Sequence, residues 1–234
     1  MSSERAGRTA VVLGGTQGIG KEIVKSLASQ GSKVILSGRT AESAGAAAAE
    51  IGMGVEGIAL DLAEPTTIAD ALAGVESVDD VVIAAIERDL NTLADYNVER
   101  AIRLVTLKLV GYTEAIHALR PRFTDRASVV VFGGLALERP YPGSTTVSTV
   151  NGGVVGLVHS LACEMAPVRI NAVHPGIIGD SPYWENRDNS AVVSRTPLGR
   201  LVTMREIVHS VEFLLDNTGV NGVNLAMDGG WLLK

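Results

Sequence analysis

Cysteine is almost absent from this sequence: Cys163 is the only one in 234 residues. The chain therefore cannot form an internal disulfide bond. Such sparse use of cysteine is typical of proteins in reducing compartments, so we expect a cytoplasmic location. Basic residues are also in deficit, with 20 Lys and Arg against 26 Asp and Glu and a net charge of −6. Because nonspecific binding to nucleic acid or to an anionic membrane needs a basic surface, we expect neither partner.

Three further signals are missing. The four histidines are scattered along the chain, so no metal-ligand spacing is present and no metal is expected. No apolar stretch approaches the roughly 18 residues needed to cross a bilayer. Glu4, Arg5 and Arg8 precede a short apolar run, which is not the pattern of a signal peptide. The length and the 46% hydrophobic content predict one large domain, residues 1–234, with a sizeable core.

Short apolar runs alternate with helical patterns along the whole chain. Most of the runs are continuously apolar, which is typical of strands buried on both faces of a parallel sheet. We predict strands at residues 10–13, 33–37, 55–60, 80–85, 128–132, 169–173 and 222–226, and helices near 19–30, 41–51, 66–73, 98–119, 146–165 and 204–215. This alternation predicts an α/β fold: a single doubly wound, Rossmann-type domain with a seven-stranded parallel sheet flanked by helices.

The first predicted strand runs into a glycine-rich turn, Val-Val-Leu-Gly-Gly-Thr-Gln-Gly-Ile-Gly at residues 11–20. Glycines let the chain turn sharply and let a diphosphate approach bare backbone N–H groups at a helix N-terminus. The turn therefore predicts a nucleotide ligand, and a glycine turn without a ligand is the alternative. The residues expected to hold the nucleotide are Gly14, Thr16, Gln17, Gly18, Ile19 and Gly20.

The second predicted strand ends in Ser-Gly-Arg-Thr at residues 37–40. In a doubly wound sheet the ligand lies beyond the carboxyl ends of the strands, and a guanidinium there suits a 2′-phosphate that a carboxylate would repel. We therefore expect Arg39 to favour NADP(H) over NAD(H) by about 10- to 100-fold. Ser37 and Thr40 could add hydroxyl contacts. A solvated loop arginine is the alternative.

These and other motifs resemble those of the short-chain dehydrogenase/reductase family, in the same order and over nearly the whole chain. The turn at residues 13–20 matches the family's Thr-Gly-x-x-x-Gly-Ile-Gly, with leucine in place of threonine. Residues 197–200 and 222–230 resemble its C-terminal signature. The resemblance implies a cofactor half at about residues 1–125 and a substrate half at about 126–234. It also implies a small-molecule substrate and a homotetramer or homodimer.

The same resemblance extends the cofactor site. Asp61 and Leu62 are similar to the family's adenine-site pair, although a helix cap is the alternative for Asp61. The sequence Asn-Ala-Val-His-Pro-Gly at residues 171–176 resembles the turn that contacts the nicotinamide. The family's Asn-Asn-Ala-Gly motif is replaced by Ile-Ala-Ala-Ile at residues 83–86. The resemblance therefore adds Ala84, Ala85, Pro175, Gly176 and Ile178 to the predicted cofactor residues.

The family's catalytic tetrad has no counterpart at the aligned positions. With residues 156–164 as the anchor, the serine position falls on Gly134, the tyrosine on Val147, the lysine on Asn151 and the asparagine on Lys108. No tyrosine in the chain has a lysine four residues later. Valine cannot donate a proton to a developing alkoxide, and general acid catalysis is worth about 10²–10⁴-fold. We therefore expect that the family's usual mechanism of carbonyl reduction is excluded.

Lys108 is the leading replacement for the missing proton donor. It lies on an apolar helical stripe, so we expect it to point inward, where desolvation lowers the pKa of its amine. Asn151 lies on an equivalent stripe, and a purely structural hydrogen bond between these two residues is the alternative. Tyr141 and Tyr183 are further candidate donors, but a packing role is the stronger expectation for both. His174 is expected to be structural.

Residues 174–201 form the one long irregular stretch, with three prolines and three glycines. Such a stretch in a compact domain predicts a lid over a site, with a plain surface loop as the alternative. Within it, Asp180 occupies the position where the family usually has a threonine near the nicotinamide carboxamide.

Three functions remain open from the sequence. The preferred one is an atypical NADP(H)-dependent oxidoreductase acting on a small carbonyl or conjugated carbonyl substrate. The alternative is a redox-inert NADP(H)-binding homologue that acts as a sensor or partner subunit. A lyase or isomerase that reuses the pocket is the third.

Overall fold

A seven-stranded parallel sheet organises residues 5–234, which are the residues that the computed structural model describes. Glu4 of the N-terminal pattern lies outside them. The strand order is β3-β2-β1-β4-β5-β6-β7, the doubly wound arrangement that the sequence predicts. The strands are β1 (Thr9–Leu13), β2 (Lys33–Gly38), β3 (Glu56–Ala59), β4 (Val78–Ile83), β5 (Phe123–Phe132), β6 (Arg169–Pro175) and β7 (Asn224–Met227).

Helices cover both faces of the sheet. They are α1 (Gly18–Ser29), α2 (Ala41–Ile51), α3 (Ile68–Ala71), α4 (Val98–Val105), α5 (Tyr112–Leu119), α6 (Thr145–Glu164), α7 (Ser190–Val193) and α8 (Met204–Asp216). In β1, Val11 and Leu13 face the layer that contains α3, α5 and α6. Ala10 and Val12 face the layer of α1, α2 and α8. Alternate strand residues point to opposite faces, so a sheet covered on both sides needs continuously apolar strands.

The predicted elements recur in the structure, with differences where local chemistry intervenes. Helix α2 has the predicted bounds. The helix predicted at 66–73 is a 3₁₀ turn, Pro65–Thr67, followed by the single turn of α3. Strand β4 ends two residues before the predicted position because the N–H groups of Ala84 and Ala85 both donate to the Leu13 carbonyl.

The helix predicted at 98–119 is continuous but changes type in the middle. Between α4 and α5 the chain forms a π-helix at Thr106–Gly111. Gly111 rests against the chain that leaves β3, where a Cβ would overlap the carbonyl oxygen of Leu62. Wider π turns inside α-helices occur frequently at functional sites. This one contains Lys108.

Buried charges tie the N-terminus to the amino-terminal edge of the sheet. The Asp80 carboxylate in β4 is fully buried and accepts from Arg5 Nη1 at 2.7 Å and Arg8 Nη2 at 2.5 Å. Both guanidiniums also lie within 2.9 Å of Asp216 Oδ1 at the end of α8. The cluster therefore joins the first strand, the central strand and the last helix.

Helix α6 corrects one expectation. With 20 residues and a mean hydropathy of 1.2, it is long and apolar enough by those two measures to cross a membrane. Its Val150, Val154 and Val158 are buried, and the helix packs against β6. Only 28% of the apolar window is buried, so one face of α6 packs on the sheet and most of the helix surface stays open in the single chain.

Candidate active site

The strand order changes direction at β1, which lies between β2 and β4, and this places a crevice at the carboxyl ends of those strands. The glycine turn lines it. Gly14 has a φ of +88° and Gly18 a φ of +52°, in the left-handed region that favours glycine. A Cβ on Gly20 would overlap the carbonyl oxygen of Gly14. A side chain is therefore excluded at Gly14 and Gly20, whereas at Gly18 the backbone conformation favours glycine.

The turn leads into α1 with its first N–H groups open. Gln17 occupies the N-cap position and its side chain makes no capping hydrogen bond. Beneath the turn, the buried Ser37 hydroxyl accepts from the Gly14 N–H at 3.0 Å. Ser37 thus supports the turn from below. The uncapped helix end supplies N–H groups of the kind that bind diphosphates.

Arg39 is exposed at the end of β2, and no carboxylate among residues 5–234 forms an ion pair with it. Thr40 is the N-cap of α2 and accepts from the Ser43 N–H at 3.1 Å in a capping box. The Thr40 hydroxyl is therefore used by the helix, while the Arg39 guanidinium remains available to a ligand.

Asp61 follows β3 and is held on two sides. One carboxylate oxygen accepts from the Ala63 N–H and the other from Arg103 Nη2, each at 2.9 Å. Burial alone would raise the pKa of Asp61, but these two hydrogen bonds and the positive charge of Arg103 hold the pKa below its ordinary value. Arg103 Nε also donates to Glu87 Oε2 at 2.8 Å. Leu62 is buried in the core.

The ends of β4 and β6 close the crevice. Ala85 packs so tightly on the glycine turn that its Cα lies 2.6 Å from where a Cβ of Gly14 would be. After Pro175, the Gly176 N–H donates to the Met227 carbonyl at 2.9 Å. Ile178 forms an isolated bridge with Val202. The predicted cofactor residues of β4 and β6 therefore lie at the same edge of the sheet as the glycine turn.

Lys108 points inward, as predicted, and only 4% of it is exposed. Its Nζ donates to the Phe132 carbonyl at 2.5 Å and lies 5.1 Å from the centre of the Tyr112 ring. Burial lowers the pKa of this amine to about 7. The amine can therefore switch between its charged and neutral forms near neutral pH.

The structural alternative, a hydrogen bond between Lys108 and Asn151, does not form in the described chain, because Lys108 donates to the Phe132 carbonyl instead. Phe132 is the last residue of β5, past its pairing with β4, so its carbonyl is free to accept from the lysine. Asn151 is also buried, at 4% exposure. Its amide Nδ2 lies 2.9 Å from where a Cβ of Gly134 would be, so the absence of a side chain at Gly134 leaves room for this amide.

The role of Tyr112 was not predicted. Its hydroxyl donates to the Ala85 carbonyl at 2.8 Å and lies 3.4 Å from the Phe132 carbonyl. Burial raises the pKa of this phenol far above its ordinary value. The phenol is therefore neutral and positions the ends of β4 and β5. Its place four residues after Lys108, on the same helical stripe, was the available signal.

Comparisons with known proteins now decide the family. Residues 14–232 match the family model described as Enoyl-(Acyl carrier protein) reductase. The chain belongs to the short-chain dehydrogenase/reductase family. Carbonyl reductase family member 4 of Xenopus tropicalis is 30% identical, over 97% of this chain and 99% of that protein. L-xylulose reductase of Bos taurus is 27% identical, over 99% of both chains.

Solved structures of the same family superpose on this chain. A short chain dehydrogenase/reductase family protein superposes with a TM-score of 0.89 at 29% identity, covering 99% of this chain and 100% of the other. A dehydrogenase/reductase from Sinorhizobium meliloti 1021 gives a TM-score of 0.89 at 28% identity, covering 98% and 97%. The match therefore spans both halves of the fold.

His174 of this short-chain dehydrogenase/reductase makes protein contacts through both of its ring nitrogens. Its Nδ1 accepts from the Gly134 N–H at 3.1 Å, and its Nε2 lies 2.9 Å from Asn224 Oδ1. The geometry assigns the ring proton to Nε2. The Asn224 amide nitrogen lies 3.1 Å from Nε2 of His159. This chain of contacts fixes the segment that carries Gly134.

The long loop after β6 is less irregular than predicted. It contains α7, and the Asp180 carboxylate accepts from the Met204 N–H at 2.7 Å, which caps α8. Tyr183 in this loop contacts the β4–α4 loop, where the guanidinium carbon of Arg88 lies 3.3 Å from the centre of its ring. Tyr141 is half exposed, and burial raises the pKa of its phenol.

Sequence reasoning missed Arg103 and Glu87, which tie Asp61 to the β4–α4 loop. No spacing rule indicates that pair, since Arg103 and Asp61 are 42 residues apart. No group of three His, Cys, Asp or Glu side chains within residues 5–234 could hold a metal ion.

Proposed function

We propose that this protein is an NADP(H)-dependent oxidoreductase that reduces a small carbonyl or conjugated carbonyl compound, with Lys108 as the proton donor. The observation that carries the proposal is a buried lysine amine whose pKa is about 7, placed at the carboxyl end of β5. The names of the two relatives given above, a carbonyl reductase family member and an L-xylulose reductase, support the reaction class.

The crevice fits a dinucleotide. The glycine turn and the open N-terminus of α1 suit a diphosphate, since a side chain at Gly14 or Gly20 would fill the cradle. Asp61 suits the adenine, and Arg39 suits a 2′-phosphate because it is exposed and forms no ion pair in the described chain. When bound, NADPH supplies the hydride for the reduction.

Lys108 and Asn151 have separate roles in the proposed reaction. One N–H of Lys108 donates to the Phe132 carbonyl, which fixes the position of the ammonium group, and its two other N–H groups remain for a substrate oxygen. The Asn151 amide makes no hydrogen bond to another group in the described chain, so it can orient a substrate oxygen. Gly134 and Val147, at the family's serine and tyrosine positions, supply no proton. A conjugated substrate needs less acid assistance and suits such a site.

Replacing Arg39 by serine tests the choice of cofactor. We expect the Kd for NADPH to rise about 10- to 100-fold, because one charge-assisted contact is lost, and the Kd for NADH to stay the same. Calorimetric titration of both nucleotides measures this. Arg120→Ser is the matched control, since Arg120 is exposed in the turn that enters the amino end of β5. Equal NADPH binding by wild type and Arg39→Ser would contradict the NADP(H) preference.

The burial of Lys108 favours a second function. If the amine donates only to the Phe132 carbonyl and never to a substrate, the protein is a redox-inert NADP(H)-binding sensor or partner subunit. NADPH absorbance followed against ketones, enones and quinones separates the two. Oxidation that Lys108→Met abolishes supports the oxidoreductase, and tight NADPH binding with no oxidation of any compound supports the inert homologue. Conversion of a compound without net change in NADPH indicates a lyase or isomerase.

We also propose a cytoplasmic homo-oligomer. Helix α4 carries an exposed apolar stripe of Val98, Ile102 and Val105, with 58%, 60% and 36% of each residue exposed. Their spacing places them on one face of the helix, which a second copy would cover. Light scattering after size exclusion should give a dimer or tetramer for wild type and a smaller species for Ile102→Lys. A monomeric wild type would refute the assembly.

A further inference from the structure

Two arginines stack on Tyr183 in the loop after β6. The guanidinium carbon of Arg88 lies 3.3 Å from the centre of the ring and that of Arg187 lies 3.8 Å from it. Two guanidinium groups cannot share one face of a ring at these distances, so they occupy opposite faces. The two like charges therefore lie on either side of the ring, separated by about the sum of these two distances. The edge of the ring also packs against Trp184, at a centroid distance of 4.9 Å.

The carboxylates nearest to Arg88 in the sequence are bound elsewhere. Glu87 accepts from Arg103 at 2.8 Å, and Asp89 accepts from Arg100 at 2.7 Å. Asp188, beside Arg187, accepts from the Ser190 N–H at 2.9 Å. Within residues 5–234 no carboxylate lies in ion-pair range of either stacked arginine. Within the described residues, the two guanidinium groups therefore contact an aromatic ring but no carboxylate.

The arginine pair lies at the same end of the sheet as the proposed site. Arg88 belongs to the loop that follows β4, and Tyr183 and Arg187 belong to the loop that follows β6. Tyr141, in the loop that follows β5, interacts electrostatically with Arg88. These three strands are neighbours in the sheet, and Lys108 contacts the last residue of β5. The two guanidinium groups therefore extend from loops at the carboxyl ends of the strands that carry the proposed site.

The charges of the two arginines repel each other. Both side chains are exposed, so water offsets part of this repulsion, and stacking on the aromatic ring offsets a further part. Partial burial first, and then the positive charge of Arg187, lower the pKa of Arg88. An anion bound beside the ring would supply the missing counter-charge and would accept from planar N–H groups that suit carboxylate and phosphate oxygens.

We propose that Arg88 and Arg187 bind an anionic group of the substrate, a carboxylate or a phosphate, while its carbonyl faces Lys108. The substrate is therefore an acidic carbonyl compound. The inference rests on the proposed oxidoreductase function for the reaction, but the anion site itself stands on the arginine pair.

Matched pairs of compounds test the inference. The first pair is 4-oxo-2-pentenoate and its methyl ester, which share a conjugated carbonyl and differ in charge. The second is dihydroxyacetone phosphate and dihydroxyacetone, which tests phosphate in the same way. Turnover is followed as NADPH oxidation. Binding is followed without turnover by the fluorescence of Trp184, next to Tyr183, in a Trp231→Phe background.

We expect kcat/KM and affinity to favour one or both anionic members by about 10- to 100-fold. The preference should fall towards unity in Arg88→Gln and Arg187→Gln and should persist in Arg120→Gln, an exposed arginine at the opposite edge of the sheet. Preference for only one of the two anions identifies the group. Thermal unfolding of each variant confirms that a lost preference is not a lost fold.

The failures of the two proposals are distinct. Equal binding and turnover of charged and neutral members overturns the anion site and leaves the oxidoreductase intact. Selective binding of an anionic member, lost in Arg88→Gln, with no NADPH oxidation by any compound, overturns the oxidoreductase and leaves the anion site intact. A preference that survives in both arginine variants also overturns the anion site.

Discussion

Substituting Lys108 by methionine is expected to lower kcat/KM for NADPH-dependent reduction by about 10²–10⁴-fold, the range that general acid catalysis contributes. Methionine fills a similar volume, so the crevice keeps its shape while it loses the proton. The measurement is steady-state NADPH oxidation with the best acidic enone or ketone. Lys33→Met is the matched control, since Lys33 is exposed on β2 and its ion pair within residues 5–234 is with Glu56. Undiminished turnover in Lys108→Met would show that the proton comes from Tyr141 or water.

The pH dependence of the wild-type reaction follows from the same residue. The protonated amine is the active form, and burial lowers its pKa to about 7. The rate should therefore be highest below pH 7 and fall tenfold per pH unit well above it. Lys108→Met should lack this fall, while Lys33→Met should retain it. A wild-type rate that rises with pH through this range would exclude Lys108 as the acid.

The free energy of unfolding should increase with pH over the range in which the reduction rate falls. The pKa of Lys108 is about 7 in the folded chain and 10.5 in the unfolded chain, so the unfolded state binds more protons between these values. The free energy of unfolding therefore increases from pH 7 to 10.5, and the full penalty for burying the charged amine, on the order of 5 kcal/mol, applies below pH 7. Urea unfolding should show Lys108→Met more stable than wild type at pH 6, with a smaller difference at pH 9.

Changing Asp80 to asparagine should produce the largest loss of stability, about 3–5 kcal/mol. The carboxylate is fully buried and accepts from both Arg5 and Arg8. Removing its charge leaves two guanidiniums at the amino edge of the sheet with only the half-exposed Asp216 to balance them. Urea unfolding at pH 7 measures the change in the free energy of unfolding.

Asp125→Asn is the control for Asp80→Asn, because Asp125 is an exposed carboxylate on β5. It should change stability by less than about 0.5 kcal/mol. The cluster lies at the edge of the sheet opposite the glycine turn, so the folded fraction of Asp80→Asn should bind NADPH with wild-type affinity. A loss below 1 kcal/mol would mean that Asp216 alone can balance both arginines.

Much of the fold was predictable because local patterns encode it. The continuous apolar run in β1 indicates burial on both faces of the sheet. The turn that follows it is indicated by its glycines, Gly14, Gly18 and Gly20. These are properties of residues close together in the chain, which periodicity and turn chemistry capture.

The site was predictable only in part. The inward direction of Lys108 follows from its helical stripe, but its partner does not. The Phe132 carbonyl is available because β5 extends past its pairing with β4, and the exact end of a ladder is not visible in the sequence. The bridge from Asp61 through Arg103 to Glu87 likewise joins three separate elements. Contacts between layers depend on how the elements pack.

The close approach of Gly111 to Leu62 has a mechanical consequence. The π turn that carries Lys108 begins at Thr106 and ends at Gly111, on the carbonyl of Leu62. The position of the ammonium group is thus anchored to the chain segment beside Asp61. A displacement of the segment beside Asp61 would therefore also displace the amine, so in the proposed mechanism cofactor binding would influence proton donation.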